Sequence, residues 1–259
     1  MYTAKELFSH LEAMNIDRRG TLLVHSSMKA IGPVEGGADT VLDVLSDYMK
    51  DGLLLLPAHS WSHVGKDYPI FDALNEPSCV GLLTEMFRKR PGVIRSLHPT
   101  HSMSALGREA ASFVSGEENA HSPCPRTGCW GKLYDRRATI LFLGCSLKRN
   151  TFIHGVEEWN DVPNRLGKEP IEYTLIAPDG QRLTASVRPH HTEPPVTEVS
   201  QRYDKMEPAF IAGNAIRRGH FGDAPCVIGD AVRMADITTA CLKRDIHLFD
   251  DDRPLPDIF

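Results

Sequence analysis

Three short runs carry most of the uninterrupted apolar character of this chain: TLLVHSS (21–27), GLLLLPAHSW (52–61) and ATILFLGCSL (138–147). Each is nearly continuous in Leu, Val, Ile or Phe, the pattern of a strand covered on both faces. The segments between them have helical spacing. GGADTVLDVLSDYMKDG sets Val41, Leu42, Leu45, Tyr48 and Met49 on one stripe, and SCVGLLTEMFRKRPGV (78–93) reads as a helix stopped at Pro91-Gly92. MYTAKELFSHLEAMNIDRRG predicts an amphipathic helix with Leu7, Leu11 and Met14 inward. Alternation of buried strands with helices predicts an α/β fold with a mixed central sheet flanked by helices.

The second half departs from that rhythm. IEYTLIAPDGQRLTASV (171–187) alternates on both sides of a Pro-Asp-Gly turn, a hairpin signature that makes the sheet mixed rather than purely parallel. RPHHTEPPVTEVSQRYD is a long polar loop, a kind of segment that inside a compact domain tends to serve function. MEPAFIAGNAIRRGHFGDAPCVIGDAVRMADITTACLKRD reads as a helix, a strand pair and a final helix. No repeat or linker divides the 259 residues, so one domain, 1–259, is expected, with a hairpin and loop subregion at about 160–205.

Composition bounds the setting. A formal charge of −5 argues against nucleic acid as the main partner. No run of 18 apolar residues exists and the first twenty residues lack an apolar h-region, so neither a membrane span nor a signal peptide is expected. The six cysteines are dispersed, as in reduced thiols of a cytoplasmic protein.

Candidate chemistry gathers where the apolar runs end. In VHSSMKAIGPVEGGADT, hydroxyls and a Gly-rich loop lead into a helix N-terminus, an arrangement that either cradles an anion or simply makes a tight turn. It is neither a Walker A sequence nor G-x-G-x-x-G. GVIRSLHPTHSMSALG (92–107) puts Arg95, Ser96, His98 and His101 together. In NTFIHGVEEW (150–159), Asn150 or Thr151 is expected to cap a helix, with His154 in its first turn and Glu157 and Glu158 following. An imidazole beside a carboxylate is a general base, while acids near a helix start are equally explained by the macrodipole. The His59/His63 and His190/His191 pairs and the His121, Cys124, Cys129 group lack the local spacing of a zinc site, and no metal is expected.

Together, LLVHSSMKAIGPVEGGADTVLDVL, LLLPAHSW, PGVIRSLHPTHSMSALG, GKLYDRRATILFLGCSLKRNTFIHGVEE and, more loosely, RRGHFGDAPCVIGDAVRMAD resemble the aminoglycoside 3-N-acetyltransferase (antibiotic N-acetyltransferase) family, in its order and over most of the chain. The resemblance implies that family's own α/β fold, distinct from the GCN5-related acetyltransferases, whose pyrophosphate loop is absent here. It implies acetyl-CoA as co-substrate, a cationic amine acceptor, and transfer to the 3-amino group of a deoxystreptamine ring; a homodimer is compatible with it. Carried over residue by residue, His154 is the base and Glu157 its partner, with Thr151 and His98 near the reacting centre. Ser26, Ser27, Met28, Ile31, Gly32, Gly36, Gly37, Val93, Arg95 and Ser96 fall on the coenzyme side. Trp61, Asp67, Glu158 and Asp161 are candidates for the acceptor, with Asp72, Glu193 and Glu198 as further carboxylates for a polycation.

The chain departs from the family pattern at PAHSW, where PTFTW is common, and at Cys129, where serine is usual. Region 160–205 matches poorly, which opens the acceptor to other small amines. Two other classes stay in view: a coenzyme-binding protein without antibiotic-modifying activity, and a hydrolase using a metal held by His59, His63, His190 and His191.

Overall fold

The computed structural model describes residues 1–255. Helix α1 (Ala4–Ala13) leads into β1 (Thr21–Ser26), α2 (Gly37–Tyr48), β2 (Leu53–Pro57), a short β3 (Ile70–Asp72), α3 (Leu82–Phe87), β4 (Ile94–Arg95), β5 (Met103–Gly107), α4 (Ala110–Val114), α5 (Cys129–Asp135), β6 (Thr139–Leu143) and α6 (Thr151–Trp159). The hairpin β7 (Ile171–Ile176) and β8 (Arg182–Val187) follows, then α7 (Glu207–Ala212), β9 (Ile216–Phe221), β10 (Ala224–Asp230) and α8 (Ala231–Arg244).

The three apolar runs become the centre of a seven-stranded sheet ordered β4-β5-β2-β1-β6-β10-β9. There β1 lies parallel to both β2 and β6, while β5 and β10 flank the trio antiparallel. Side chains alternate between two apolar layers. Leu23, Leu53, Leu55, Ile140 and Phe142 pack with Trp130, Phe152 and Met234 on one face. Leu22, Val24, Leu54, Leu56, Leu141 and Leu143 pack with Leu7, Leu11, Val41, Leu42 and Leu45 on the other. Each such leucine contributes about 1.5–3 kcal/mol by leaving water, and that double burial is why these strands carry no polar alternation.

The sheet is mixed, as expected, but for a different reason. The β7–β8 hairpin turns at Gly180, as its Pro-Asp-Gly predicts, yet it does not join the central sheet. It pairs with β3 in a separate three-stranded sheet over Phe71, Tyr173, Leu175, Ala185 and Val187. The antiparallel pairs of the main sheet come from β5 and β4 on one side and from β10 and β9 on the other. The expected 78–93 helix is shorter than its pattern, ending at Phe87.

Among the described residues, no helix is long and apolar enough to cross a membrane. His25, on β1, is buried against Phe142 and Trp130, and burial lowers its pKa to about 3. The folded state therefore holds this imidazole neutral, while the unfolded chain protonates it below about 6.5. Its contribution to stability is complete above that pH and declines as pH falls towards 3. Between pH 8 and 5 the loss from this group is about 2 kcal/mol. Urea unfolding of wild type and His25→Phe at both pH values checks this: the variant loses less stability on acidification, whereas an identical loss in both rules the assignment out.

Candidate active site

The carboxyl ends of β1, β2 and β6 converge on one cavity of about 800 Å³, where an open sheet with helices on both faces places its ligands. Its walls take His25 and Ser26 from β1, Pro57 and His59 from the end of β2, and Cys145, Lys148 and Arg149 after β6. Helix α6 contributes Thr151 and His154. The second sheet, the loop after it and the 3-10 helix Val199–Met206 close the far side with Ile171, Tyr173, Pro189, His190 and Ser200.

His154 sits one turn into α6, with its side chain 20% exposed and forming part of the wall. Behind it runs a buried polar chain. The Tyr203 hydroxyl lies 2.6 Å from His154 Nδ1 and donates to Glu157 Oε2. Glu157 itself approaches His154 Nδ1 only to 3.6 Å, so the phenol is the bridge. On its other oxygen the carboxylate accepts from Arg165 Nε at 2.6 Å, and Arg165 in turn donates to Asp250 at 2.6 Å. Glu157 is fully buried, a position a carboxylate holds only when paired. Burial and the adjacent Glu157 push the Tyr203 phenol well above its ordinary range, so it stays protonated. With its proton committed to Glu157, Tyr203 receives Nδ1–H from His154. That fixes the tautomer with Nε2 unprotonated, and among the described residues Nε2 has no protein partner.

Gly155 makes the fit of α6 possible. A Cβ there would meet the Trp159 ring at 2.9 Å and Cys124 Cβ at 3.4 Å, and Trp159 closes the contact by donating Nε1–H to the Cys124 carbonyl. Next to His154 a row of imidazoles lines the wall. The His154 and His190 rings lie 4.4 Å apart, His190 and His101 4.9 Å, and His101 and His59 4.7 Å. Burial first, then mutual repulsion, holds His59, His101 and His190 well below the usual histidine range. The row is therefore neutral at physiological pH.

Of the sequence candidates, Ser26, Trp61, Thr151 and His154 line the cavity, and Glu157 stands behind it. Others do not line it. His98 is fully buried: its Nδ1 accepts from the backbone N–H of Thr100 and of His101, and Nε2 meets the Ser122 carbonyl at 3.0 Å. Neither nitrogen is left for a substrate. Arg95 is also spent inside, donating to the carbonyls of Ala58 and Glu76 and to Ser102 Oγ, with its guanidinium over the Phe71 ring. Ser96 bonds Glu117 and the Met103 N–H. Ser27, Met28, Gly32, Gly36, Gly37 and Val93 lie away from the walls, and Ile31 is in the core. Gly36 takes φ 73° to open α2.

Glu158, expected to meet the acceptor, is turned inward: its side chain is 4% exposed and accepts from the Cys124 N–H. Asp67 and Asp161 are exposed and outside the wall. Asp72 is used in a turn, accepting from Leu74 and Asn75. Asn150 stands at the N-cap position without making a side-chain cap bond. His63 pairs with Glu76, and His191 faces Glu193, so the histidine pairs do not converge on one point. Sequence reading missed Tyr203, Arg165, Asp250, Lys148 and Arg149.

The aminoglycoside 3-N-acetyltransferase sequence profile matches residues 23–243. Aminoglycoside N(3)-acetyltransferase III of a Salmonella species is 28% identical over 273 residues, spanning 94% of this chain and 92% of the relative. Among solved structures, AAC-IIIb in a binary complex with CoASH superposes with a TM-score of 0.81 at 24% identity, covering 94% of this chain and 97% of that one. A histidine-to-alanine mutant of the acetyltransferase AAC(3)-IVa, in complex with a gentamicin, superposes with a TM-score of 0.82 at 22% identity, covering 96% and 91%.

Because Arg95 ties the β2 end to the 73–76 turn, its removal strips the Glu76 carbonyl of its guanidinium donor and takes one donor each from the Ala58 carbonyl and Ser102 Oγ, which keep only the bond between them. Arg95→Ala is expected to destabilise the fold by about 3 kcal/mol. Denaturant titration tests this, and a change below about half a kcal/mol contradicts the buried-strap role.

Proposed function

The chain belongs to the aminoglycoside 3-N-acetyltransferase family, and from that premise we propose that it moves acetyl from acetyl-CoA to an amino group of an aminoglycoside, the 3-amino group of 2-deoxystreptamine, with His154 as general base. The observation that carries this reading is the buried chain Arg165–Glu157–Tyr203–His154 behind a cavity-facing imidazole.

The acceptor amine reaches the site as an ammonium ion and must shed a proton before it is nucleophilic. His154 Nε2 takes that proton, and the freed lone pair forms the C–N bond at the thioester carbonyl. The resulting imidazolium is stabilised through Tyr203 by the Glu157 carboxylate, whose charge Arg165 and Asp250 hold in place. The carbonyl π electrons move to oxygen, where the Thr151 hydroxyl in the first turn of α6 is the candidate donor. Collapse breaks the C–S bond. Two protons leave the nitrogen overall: one ends on the coenzyme sulfur and one in solvent. Attack is direct, so no cysteine nucleophile is required. Cys145 is held thiol-like, its pKa raised to about 12 by burial.

The relative AAC-IIIb was solved with CoASH. In this chain Lys148, Arg149 and Ser26 are the cavity groups suited to the coenzyme diphosphate. The hairpin and loop at 160–205 form the acceptor side, through Ile171, Tyr173, Pro189, His190 and Ser200. One observation favours the second reading, a different small amine as acceptor. Among the described residues, the lining includes Lys66, Lys148 and Arg149 but no carboxylate, whereas a polycation calls for acidic walls.

Coenzyme-release assays over 2-deoxystreptamine aminoglycosides and simpler amines separate the readings. Turnover with aminoglycosides supports the first, turnover with simple amines alone the second, and none with either contradicts both. With whichever acceptor is turned over, His154→Ala is expected to lower kcat by about 10³-fold while acetyl-CoA binding by calorimetry is retained; near wild-type turnover removes the base. Tyr203→Phe is expected to lower kcat about 10-fold or more with KM for acetyl-CoA unchanged. An unaltered kcat means the phenol is not in the relay.

A further inference from the structure

Behind the His154 wall, three segments far apart in sequence bring a thiol, a carboxylate and an imidazole together. Cys124 lies in the loop before α5, Glu158 at the end of α6, and His190 in the loop after β8. One ligating atom from each lies within 4.8 Å of the other two, and Glu158 Oε1 stands 3.9 Å from His190 Nε2. Glu158 Oε1 already accepts from the Cys124 backbone N–H at 2.9 Å. Glu158 Oε2 and His190 Nε2, both shielded from solvent, have no hydrogen-bond partner among the described residues. A buried carboxylate oxygen and a buried imidazole nitrogen left unpaired within one cluster are costly, and a cation held by the cluster satisfies both. We propose that Cys124, Glu158 and His190 form a binding site for a divalent transition metal of zinc type.

The donor set suits that class. Thiolate, imidazole and carboxylate are the three zinc ligand types, at about 2.0–2.3 Å from the ion, which sets tetrahedral ligand separations of about 3.3–3.8 Å. Shifts of about half an ångström at each side chain close the observed spacing to that range. A calcium or magnesium ion, which requires oxygen ligands, is disfavoured by the thiol. The cluster is not one of the histidine pairs read from the sequence: its members are 34 and 32 residues apart, counted as 158 − 124 and 190 − 158, a spacing no local motif reveals.

The site braces the wall rather than taking part in the transfer. It joins α6 to the Cys124 loop and ties both to the His190 loop, whose imidazole lies 4.4 Å from that of His154. The ion fixes the His190 ring and with it the acceptor-side loop beside the base. Its existence does not rest on acetyl transfer, and protein that binds the metal while acetylating nothing leaves it intact.

The test uses untagged full-length protein stripped with a chelator, then titrated with Co²⁺ and with Zn²⁺. One equivalent of cobalt is expected, with a thiolate-to-cobalt charge-transfer band in the near ultraviolet, displaced stoichiometrically by zinc. Cys124→Ser abolishes the band. Glu158→Gln and His190→Ala, each removing a direct ligand, weaken cobalt binding by more than the roughly 10–100-fold that loss of an outer-shell partner costs. His190 is on a loop with its side chain 23% exposed, so its variant keeps the test open if the two buried substitutions impair folding. Absence of stoichiometric uptake overturns the proposal, as does uptake without a thiolate band or undiminished affinity in His190→Ala.

Discussion

A single fully buried carboxylate organises this molecule. Glu157 has no solvent to share its charge, so it survives only because Arg165 bonds one oxygen and Tyr203 the other. Both partners come from beyond α6, Arg165 from the turn after it and Tyr203 from the 3-10 helix Val199–Met206 ahead of α7. Satisfying one charge thus pins a turn and a 3-10 helix to the helix that carries His154. Asp250 extends the chain to the C-terminal segment. Removing any partner from such a network leaves an uncompensated buried charge, which costs far more than the pair contributes. Stability of this region and orientation of the His154 imidazole therefore depend on the same bonds.

The sheet supplies what this network cannot, a fixed floor. Two parallel neighbours of β1 end at the same level, so His25, Ser26, His59 and Cys145 surround one cavity mouth without any loop having to find it. Burial keeps the imidazoles there neutral, giving a wall of hydrogen-bonding groups that carries little charge beside His154, the proposed base. Of the three cationic groups in the wall, Lys148 and Arg149 follow β6 and Lys66 precedes β3, and the first two are the proposed diphosphate contacts.

Much of the fold was legible in the sequence because its strands are buried on both faces, and burial leaves an unmistakable run of apolar residues. The helix stripes of α1 and α2 were legible for the same reason, and the β7–β8 hairpin through its Pro-Asp-Gly turn. Which sheet the hairpin joins was not, since pairing with β3 depends on a three-residue strand too short to signal itself. At the site, His154 and Glu157 were legible as neighbours on one helix. Tyr203, 46 residues from Glu157, had no local mark distinguishing it from any tyrosine in a polar loop. Arg95 and His98 misled because a polar cluster in sequence looks alike whether it meets a ligand or, as here, backbone carbonyls and amides. Glu158 misled because adjacent helical positions face different surroundings, and its own lies inward.

Tyr203 and Glu157 are proposed to act on His154 as one relay. A double-mutant cycle on kcat/KM, with Tyr203→Phe, Glu157→Gln and both together, measures this most directly. A relay predicts that the double variant is little worse than the poorer single one, with a coupling free energy of about 1–3 kcal/mol. Single effects that simply multiply in the double variant would contradict it.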